Sequence, residues 1–352
     1  MKKAYHLKEK YHLKEAYLYK KLTTNKIRCD LCSHRCVISE GGKGKCYVRE
    51  NRNGTLYTLV YENIIAENID PIEKKPLFHF LPGTKSLSIA TPGCNFKCFF
   101  CQNWQISQMP CDYDRIDGKL ISPEQLVDNA LENGCASISY TYTEPTIYFE
   151  LAYDTAKLAN ENNIKNVFVT NGFMTKECIQ MIEPYLDAAN IDLKSFSEEF
   201  YRDKIGGKLK PVLDNIKYMH EIGIWIEVTT LLIPGMNDSE GEIQEIAGFL
   251  AGVSNTIPWH ISAYYPQYKA KIPPTEVDSI AEAVKIGKKA GLKYVYGGNI
   301  PDGKLENTIC FNCGDLLIKR FGFTVGENKI KNNSCIKCGS KIDGVFDENL
   351  GY

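Results

Sequence analysis

SLSIATPGCNFKCFFC, residues 86–101, sets a short apolar run directly against three cysteines at positions 94, 98 and 101. SLSIAT has the length and character of a buried strand. A cubane iron–sulfur cluster normally takes four thiolates. Three cysteines this close together wrap one corner of the cube and leave the fourth iron without a protein ligand. The competing reading of C-x3-C-x2-C is a zinc knuckle short of one ligand. Position weighs against the knuckle, because the loop after a strand's C-terminal end is where (β/α) barrels keep their chemistry. Cys94, Cys98 and Cys101 are therefore expected to hold a [4Fe–4S] cluster with one open iron.

Downstream the pattern alternates. Ser122, followed by Pro123-Glu124-Gln125, reads as an N-cap with proline at the first helical position and a capping-box glutamine. Strands are expected at SISY (137–140), NVFVT (166–170), AANIDL (188–193), WIEVTTLL (225–232), WHISAY (259–264) and KYVY (293–296). Helices are expected over 146–162, 175–186, 197–222, from a Ser239 cap to about residue 250, and over 275–290. Strands separated by helices mean βαβ units and a parallel sheet. The fold class is thus α/β, a (β/α)6-type partial barrel over residues 86–305. Residues 1–24 read as a helix on the spacing of Ala4, Leu7, Tyr11, Leu18 and Leu22. The segment YHLKE occurs twice there, at Tyr5 and Tyr11, as a local duplication. Residues 25–85 read as a small cysteine-bearing module with a hairpin turn at Arg52-Asn53-Gly54. The expected domains are 1–85, 86–305 and 306–352.

Bulk properties narrow the function. The chain has 352 residues, 43% of them hydrophobic, and a net charge of −1. That balance gives no basis for a broad nucleic-acid surface. No run of eighteen apolar residues is present, so no membrane span is expected. The N-terminus is charged throughout and lacks the apolar stretch of a secretory signal. A cytoplasmic protein with 14 cysteines is expected to use them for metals rather than disulfides. Cys310, Cys313, Cys335 and Cys338 have zinc-ribbon spacing, with a rubredoxin-like iron site as the rival. Cys29, Cys32, Cys36 and Cys46 form another four-thiolate set. Structural zinc is preferred there and an auxiliary [4Fe–4S] cluster is the alternative. His34 is read as lying beside that site rather than ligating. Cys111, Cys135 and Cys178 have no pattern and read as packing residues, as do Tyr140, Tyr142 and Tyr148. His79 and His260 read as core histidines.

The C-x3-C-x2-C spacing, with aromatic Phe100 before its last cysteine, resembles the signature of the radical S-adenosylmethionine (SAM) superfamily. The surrounding block EKKPLFHFLPGTKSLSIATPGCNFKCFFCQNWQISQ, RCDLCSHRC upstream and the paired C-x-x-C tail tighten the resemblance. Over nearly the whole chain the sequence is similar to the AmmeMemoRadiSam system radical SAM enzymes. These are relatives of the activating enzymes of pyruvate formate-lyase and other glycyl radical enzymes. The resemblance implies reductive cleavage of SAM at the open iron, a 5′-deoxyadenosyl radical, and hydrogen abstraction from a small molecule or a protein. It also implies an electron donor such as flavodoxin or ferredoxin, and a Memo-like partner protein. Activases carry a Gly-Gly-Glu-Pro motif after the second strand; here Tyr142-Thr143-Glu144-Pro145 keeps Glu144 and loses both glycines. By the same resemblance Phe100, Asn171 of Thr170-Asn171-Gly172, and Asp192 and Lys194 of an Asp-x-Lys segment line the SAM pocket. Ile233-Pro234-Gly235 corresponds to the adenine side. Tyr264 and Tyr265 stand near the place of an activase histidine. Two rival readings are a glycyl radical enzyme activase and a zinc-ribbon module binding nucleic acid or protein.

Overall fold

Strand β1 (Lys85–Ala90) is buried along all but its first residue, as a strand covered on both faces must be. The structure, a computed structural model, describes residues 13–301 and 303–346. β1 pairs in parallel with β2 (Ser137–Tyr140), Leu87 standing opposite Ile138 and Ile89 opposite Tyr140. β2 pairs in parallel with β3 (Lys165–Thr170). Helices α1 (Pro123–Glu132) and α2 (Phe149–Glu161) make the crossovers, and α3 (Lys176–Ile182) follows β3. The capping box at α1 forms as expected: Gln125 N donates to Ser122 Oγ at 3.4 Å, and Ser122 N donates to Gln125 Oε1 at 2.9 Å.

A second parallel series runs β4 (Ala188–Asp192), β5 (Trp225–Leu232), β6 (Trp259–Ala263) and β7 (Val295–Gly298). Each pairs with the next. Helices α4 (Leu209–Glu221), α5 (Glu240–Val253) and α6 (Val277–Lys289) connect them. The described residues divide into two compact units. One holds the chain up to Ile69, Ser86–Asp187 and Ile205–Gly207; the other holds Asp70–Lys85, Ala188–Lys204 and the chain from Lys208 onward.

The helix expected over residues 1–24 is overturned in its described part. Lys14–Glu15 and Tyr19–Lys21 are short strands, paired with Thr55–Thr58 and Ile27–Cys29. Tyr17 is held from two sides: its N donates to Glu150 Oε1 at 2.6 Å and its O accepts from Arg49 Nη2 at 2.7 Å. Leu18 takes a left-handed φ of 52°. These long-range bonds outweigh local helix propensity. Residues 1–12, with the first YHLKE copy, lie outside the described residues. The hairpin is confirmed, with Asn53 and Gly54 at φ 53° and 75° as a type I′ turn requires.

The second unit is organised around a buried carboxylate. Glu227 of β5 accepts from Phe78 N at 3.0 Å, His79 N at 2.8 Å, Trp225 Nε1 at 3.1 Å and His260 Nε2 at 2.6 Å. Burial pushes its pKa up, but the His260 hydrogen bond and the neighbouring imidazoles hold it below the usual carboxylate range. His79 sets Nδ1 2.6 Å from Asp343 O and Nε2 2.5 Å from Tyr296 Oη. The carbonyl makes Nδ1 the protonated nitrogen and leaves Nε2 to accept from the phenol. His79 and His260 are thus core histidines, as expected. The tail adds Leu317, Ile318 and Ile342 to one core with Phe78, Tyr294 and Tyr296.

Burial drives the His79 pKa down from 6.5 to about 4, against an opposing pull from Glu227. Between those values the unfolded chain takes up a proton that the folded chain refuses, so stability falls as pH drops through the window. Protonating Glu227, whose folded pKa is depressed, acts in the same direction. Thermal midpoints measured at stepped pH should fall below pH 6.5. His79→Gln should flatten the fall, removing a contribution of up to about 3 kcal/mol. A midpoint unchanged across the window is the contrary result.

Candidate active site

The cysteine loop leaves β1 through Gly93, whose φ of +112° excludes other residues. A Cβ there would also meet Val48 Cγ1 at 2.9 Å. Cys94, Cys98 and Cys101 follow, none of them in a disulfide. Their sulfurs already have polar partners: Phe96 N donates to Cys94 Sγ at 3.4 Å, and Cys101 Sγ lies 3.1 Å from Ser107 Oγ. Hydrogen bonds to sulfur are among the levers that set a cluster's potential. Burial, and next the charge of Glu144, push the Cys94 thiol well above its ordinary pKa. A bound metal must therefore supply the charge that keeps it a thiolate. Three cysteines on one braced loop suit the expected cluster. Phe100 is buried behind them, edge-on to Phe99 at 5.1 Å.

The strand ends beside this loop are locked together. Glu144 Oε1 accepts from Thr146 N at 3.1 Å, from the Thr146 hydroxyl and from Thr170 Oγ1 at 2.7 Å; Oε2 accepts from Asn171 N at 2.8 Å. Asn171 Nδ2 reaches Asn95 Oδ1 at 2.7 Å, inside the cysteine loop. Glu144 and Asn171 thus tie the ends of β2 and β3 to the loop, and their polar atoms are engaged by the protein. Tyr142 takes the first motif glycine's place at φ 59°. Thr143 N donates to Thr141 O at 2.7 Å, closing a γ-turn around it. This is the rare, strained form of that turn. Asn103 Nδ2 donates to Tyr142 O at 2.8 Å and Thr143 Oγ1 to Thr91 O at 2.8 Å. A glycine-like backbone is kept although both glycines are gone.

Asp192 and Lys194, at the end of β4, pair with each other at 2.8 Å. Lys194 N donates to Tyr201 Oη at 3.1 Å, and Asn237 Nδ2 donates to Lys194 O at 2.7 Å. The segment is fixed while the two charged ends remain partly open.

Upstream, the Cys29–Cys46 module docks on the same loops. His34 Nε2 lies 2.8 Å from Asn95 O, and its ring sits edge-on to Phe173 at 4.9 Å. Ser33 N donates to Phe173 O at 2.9 Å. Beneath them is a buried ion pair: Arg49 Nη1 lies 2.9 Å from both oxygens of Glu150. His34, Arg49, Asn103 and Ser107 were not singled out as site residues by sequence reasoning. Only His34 carried a signal, its place between Cys32 and Cys36. Of the unpatterned cysteines, Cys135 and Cys178 are buried as expected, while Cys111 is half-buried beside Lys97.

In the tail, Cys310, Cys313, Cys335 and Cys338 bring all four sulfurs within 4.8 Å of one another. Two pairs are 3.7 and 3.8 Å apart. A tetrahedral metal with Zn–S near 2.3 Å has thiolates about 3.8 Å apart, so the set fits that geometry. Each pair turns on a left-handed glycine, Gly314 at φ 73° and Gly339 at φ 72°. Hydrogen bonds with Ser340 bring the Cys338 thiol down to about 6.

Alternating parallel strands and helices, with a three-cysteine loop after β1, define an α/β fold of the radical SAM type. Residues 88–250 match the radical SAM superfamily. The uncharacterized protein MJ0808 of Methanocaldococcus jannaschii is 45% identical over 307 residues, 87% of this chain and 91% of that one. The pyruvate formate-lyase 1-activating enzyme of Escherichia coli K12 is 20% identical over 58% of this chain and 84% of its own. The crystal structure of Streptococcus suis SuiB has a TM-score of 0.50 at 16% identity, covering 65% of this chain and 52% of that one. The chain belongs to the radical SAM superfamily and is homologous to the pyruvate formate-lyase activating enzymes.

Removing one partner of the Arg49–Glu150 pair strands the other charge in the core. Arg49→Met should cost about 3–5 kcal/mol in denaturant unfolding, and the Arg49→Met/Glu150→Leu double variant should recover most of it. Equal losses in the single and double variants would show that the pair does not act as a unit.

Proposed function

We propose that Cys94, Cys98 and Cys101 hold a [4Fe–4S] cluster to which SAM binds, and that the protein abstracts hydrogen from a small-molecule or protein substrate. The observation that carries this reading is the placement of three cysteines, none in a disulfide, on one loop braced by Gly93, Asn95 and Ser107. When bound, the cluster supplies the electron that splits the SAM sulfonium and yields the 5′-deoxyadenosyl radical.

The chain's own residues orient and enclose. A zwitterionic amino-acid group offers its ammonium to Asp192 and its carboxylate to Lys194, exchanging one ion pair for two charge-assisted contacts. Glu144 and Asn171 act by position, since their polar atoms hold the strand ends. Phe100 backs the cysteine loop. The tail quartet holds a structural zinc, for which its sulfur spacing is the support. In the cytosol a low-potential donor such as flavodoxin or ferredoxin would supply the electron, and a Memo-like protein is the partner suggested by the AmmeMemoRadiSam resemblance. Homology to activating enzymes favours a second reading, hydrogen abstraction from a glycyl radical enzyme. Tyr142-Thr143 in place of two glycines weighs against it.

Anaerobically reconstituted protein, given reductant and SAM, should release 5′-deoxyadenosine, and Cys98→Ala should release none, as read by chromatography. Equal release by the variant would overturn the assignment. A glycine-centred EPR doublet on mixing with a glycyl radical enzyme would select the second reading.

A further inference from the structure

A second set of thiols, Cys29, Cys32, Cys36 and Cys46, has no part in the reading above. All four are free and line one small pocket, together with Arg49. Its geometry differs from that of the tail. The tail sulfurs stand at tetrahedral spacing, which leaves no room at the centre for a water-sized sphere. The upstream pocket encloses about 20 Å³, more than one water needs. Among the described residues, the tail quartet forms a group whose sulfurs all lie within 4.8 Å of one another, and neither the upstream four nor Cys94, Cys98 and Cys101 are gathered into such a group. In a cubane each thiolate binds a different iron, which sets the cysteine sulfurs on the order of 6 Å apart. The upstream quartet therefore resembles the cluster loop, and not the tail, in that its sulfurs are not drawn together at one point.

The pocket wall also suits an anionic sulfur-rich group. Arg49 is 2% exposed, and its Nε is buried with no hydrogen-bond partner. Two of its other bonds go to Glu150 and one to Tyr17 O. A buried guanidinium N–H without an acceptor is costly, and cluster sulfur would provide one. Lys45 N already donates to Cys36 Sγ at 3.5 Å.

We infer that Cys29, Cys32, Cys36 and Cys46 ligate a second [4Fe–4S] cluster. All four irons carry protein thiolates, so none is open to SAM. The His34–Asn95 hydrogen bond gives the two cysteine loops a direct connection. The inference does not rest on SAM chemistry at Cys94.

The test uses the full chain reconstituted anaerobically with iron and sulfide. The Cys94→Ala/Cys98→Ala/Cys101→Ala variant should retain about four iron and four sulfide per chain. Reduced with dithionite, it should give a cluster EPR signal that SAM does not alter. A variant with no iron, whether it holds extra zinc or no additional metal, would overturn the inference. If the triple variant is insoluble, Cys29→Ser/Cys46→Ser decides: its iron should fall from about eight to about four per chain. Unchanged iron there would overturn it equally, and the SAM-responsive EPR signal of Cys94–Cys101 reports separately on the first site.

Discussion

The buried pair of Arg49 and Glu150 is the contact on which the first unit turns. Arg49 follows the last cysteine of the upstream module, and Glu150 lies in the first turn of α2. Both are fully desolvated, so the pair adds little net stability over an apolar substitute. Its effect is on geometry. Arg49 Nη2 also holds Tyr17 O, and Glu150 also holds Tyr17 N. One interaction thereby sets the path of the N-terminal strands, the position of the upstream cysteines and the start of α2.

That anchoring reaches the cysteine loop by short steps. Val48, beside Arg49, fills the space that a side chain at Gly93 would need. The turn before α2 carries Glu144, whose carboxylate gathers Thr146, Thr170 and Asn171. Asn171 then holds Asn95, whose carbonyl is held by His34. The loop that presents the three cysteines is braced from outside by these contacts. Its shape is imposed by neighbours that are themselves buried and paired. Such enforcement also explains how Tyr142 persists at φ 59°, because surrounding bonds must over-determine a strained residue for it to remain.

The α/β alternation was legible because buried parallel strands are apolar and helices announce their caps. Ser122 and Gln125 formed the capping box that their spacing predicts. The cysteine groups were legible as groups. The N-terminal stretch was misread, since the periodic Leu18 and Leu22 give no hint that Tyr17 is bound from both sides by residues far along the chain. The links from His34 to Asn95 and from Asn103 to Tyr142 O were illegible for the same reason. Hydrogen bonds between loops depend on where strands end in space, and sequence spacing does not encode that.

The three cysteine groups show what spacing alone leaves open. The upstream and tail sets each begin with C-x2-C and each offer four thiolates, so ligand type does not separate zinc from iron–sulfur. The separation lies in how the backbone aims the sulfurs. In the tail, two knuckles with left-handed glycines point both pairs at one point, and the sulfurs close to 3.7 and 3.8 Å. Upstream, Arg35 at φ 44° and Tyr47 at φ 62° turn the chain just before Cys36 and just after Cys46. The intervening loop closes through Gly44, where an added Cβ would meet Ile38 Cδ1 at 3.4 Å. The result is a small pocket lined by all four cysteines and by Arg49. Arg49, on the wall of that pocket, is held in place by Glu150 and Tyr17. A cubane there would bring sulfur acceptors to Arg49 Nε, a buried guanidinium N–H without a hydrogen-bond partner among the described residues.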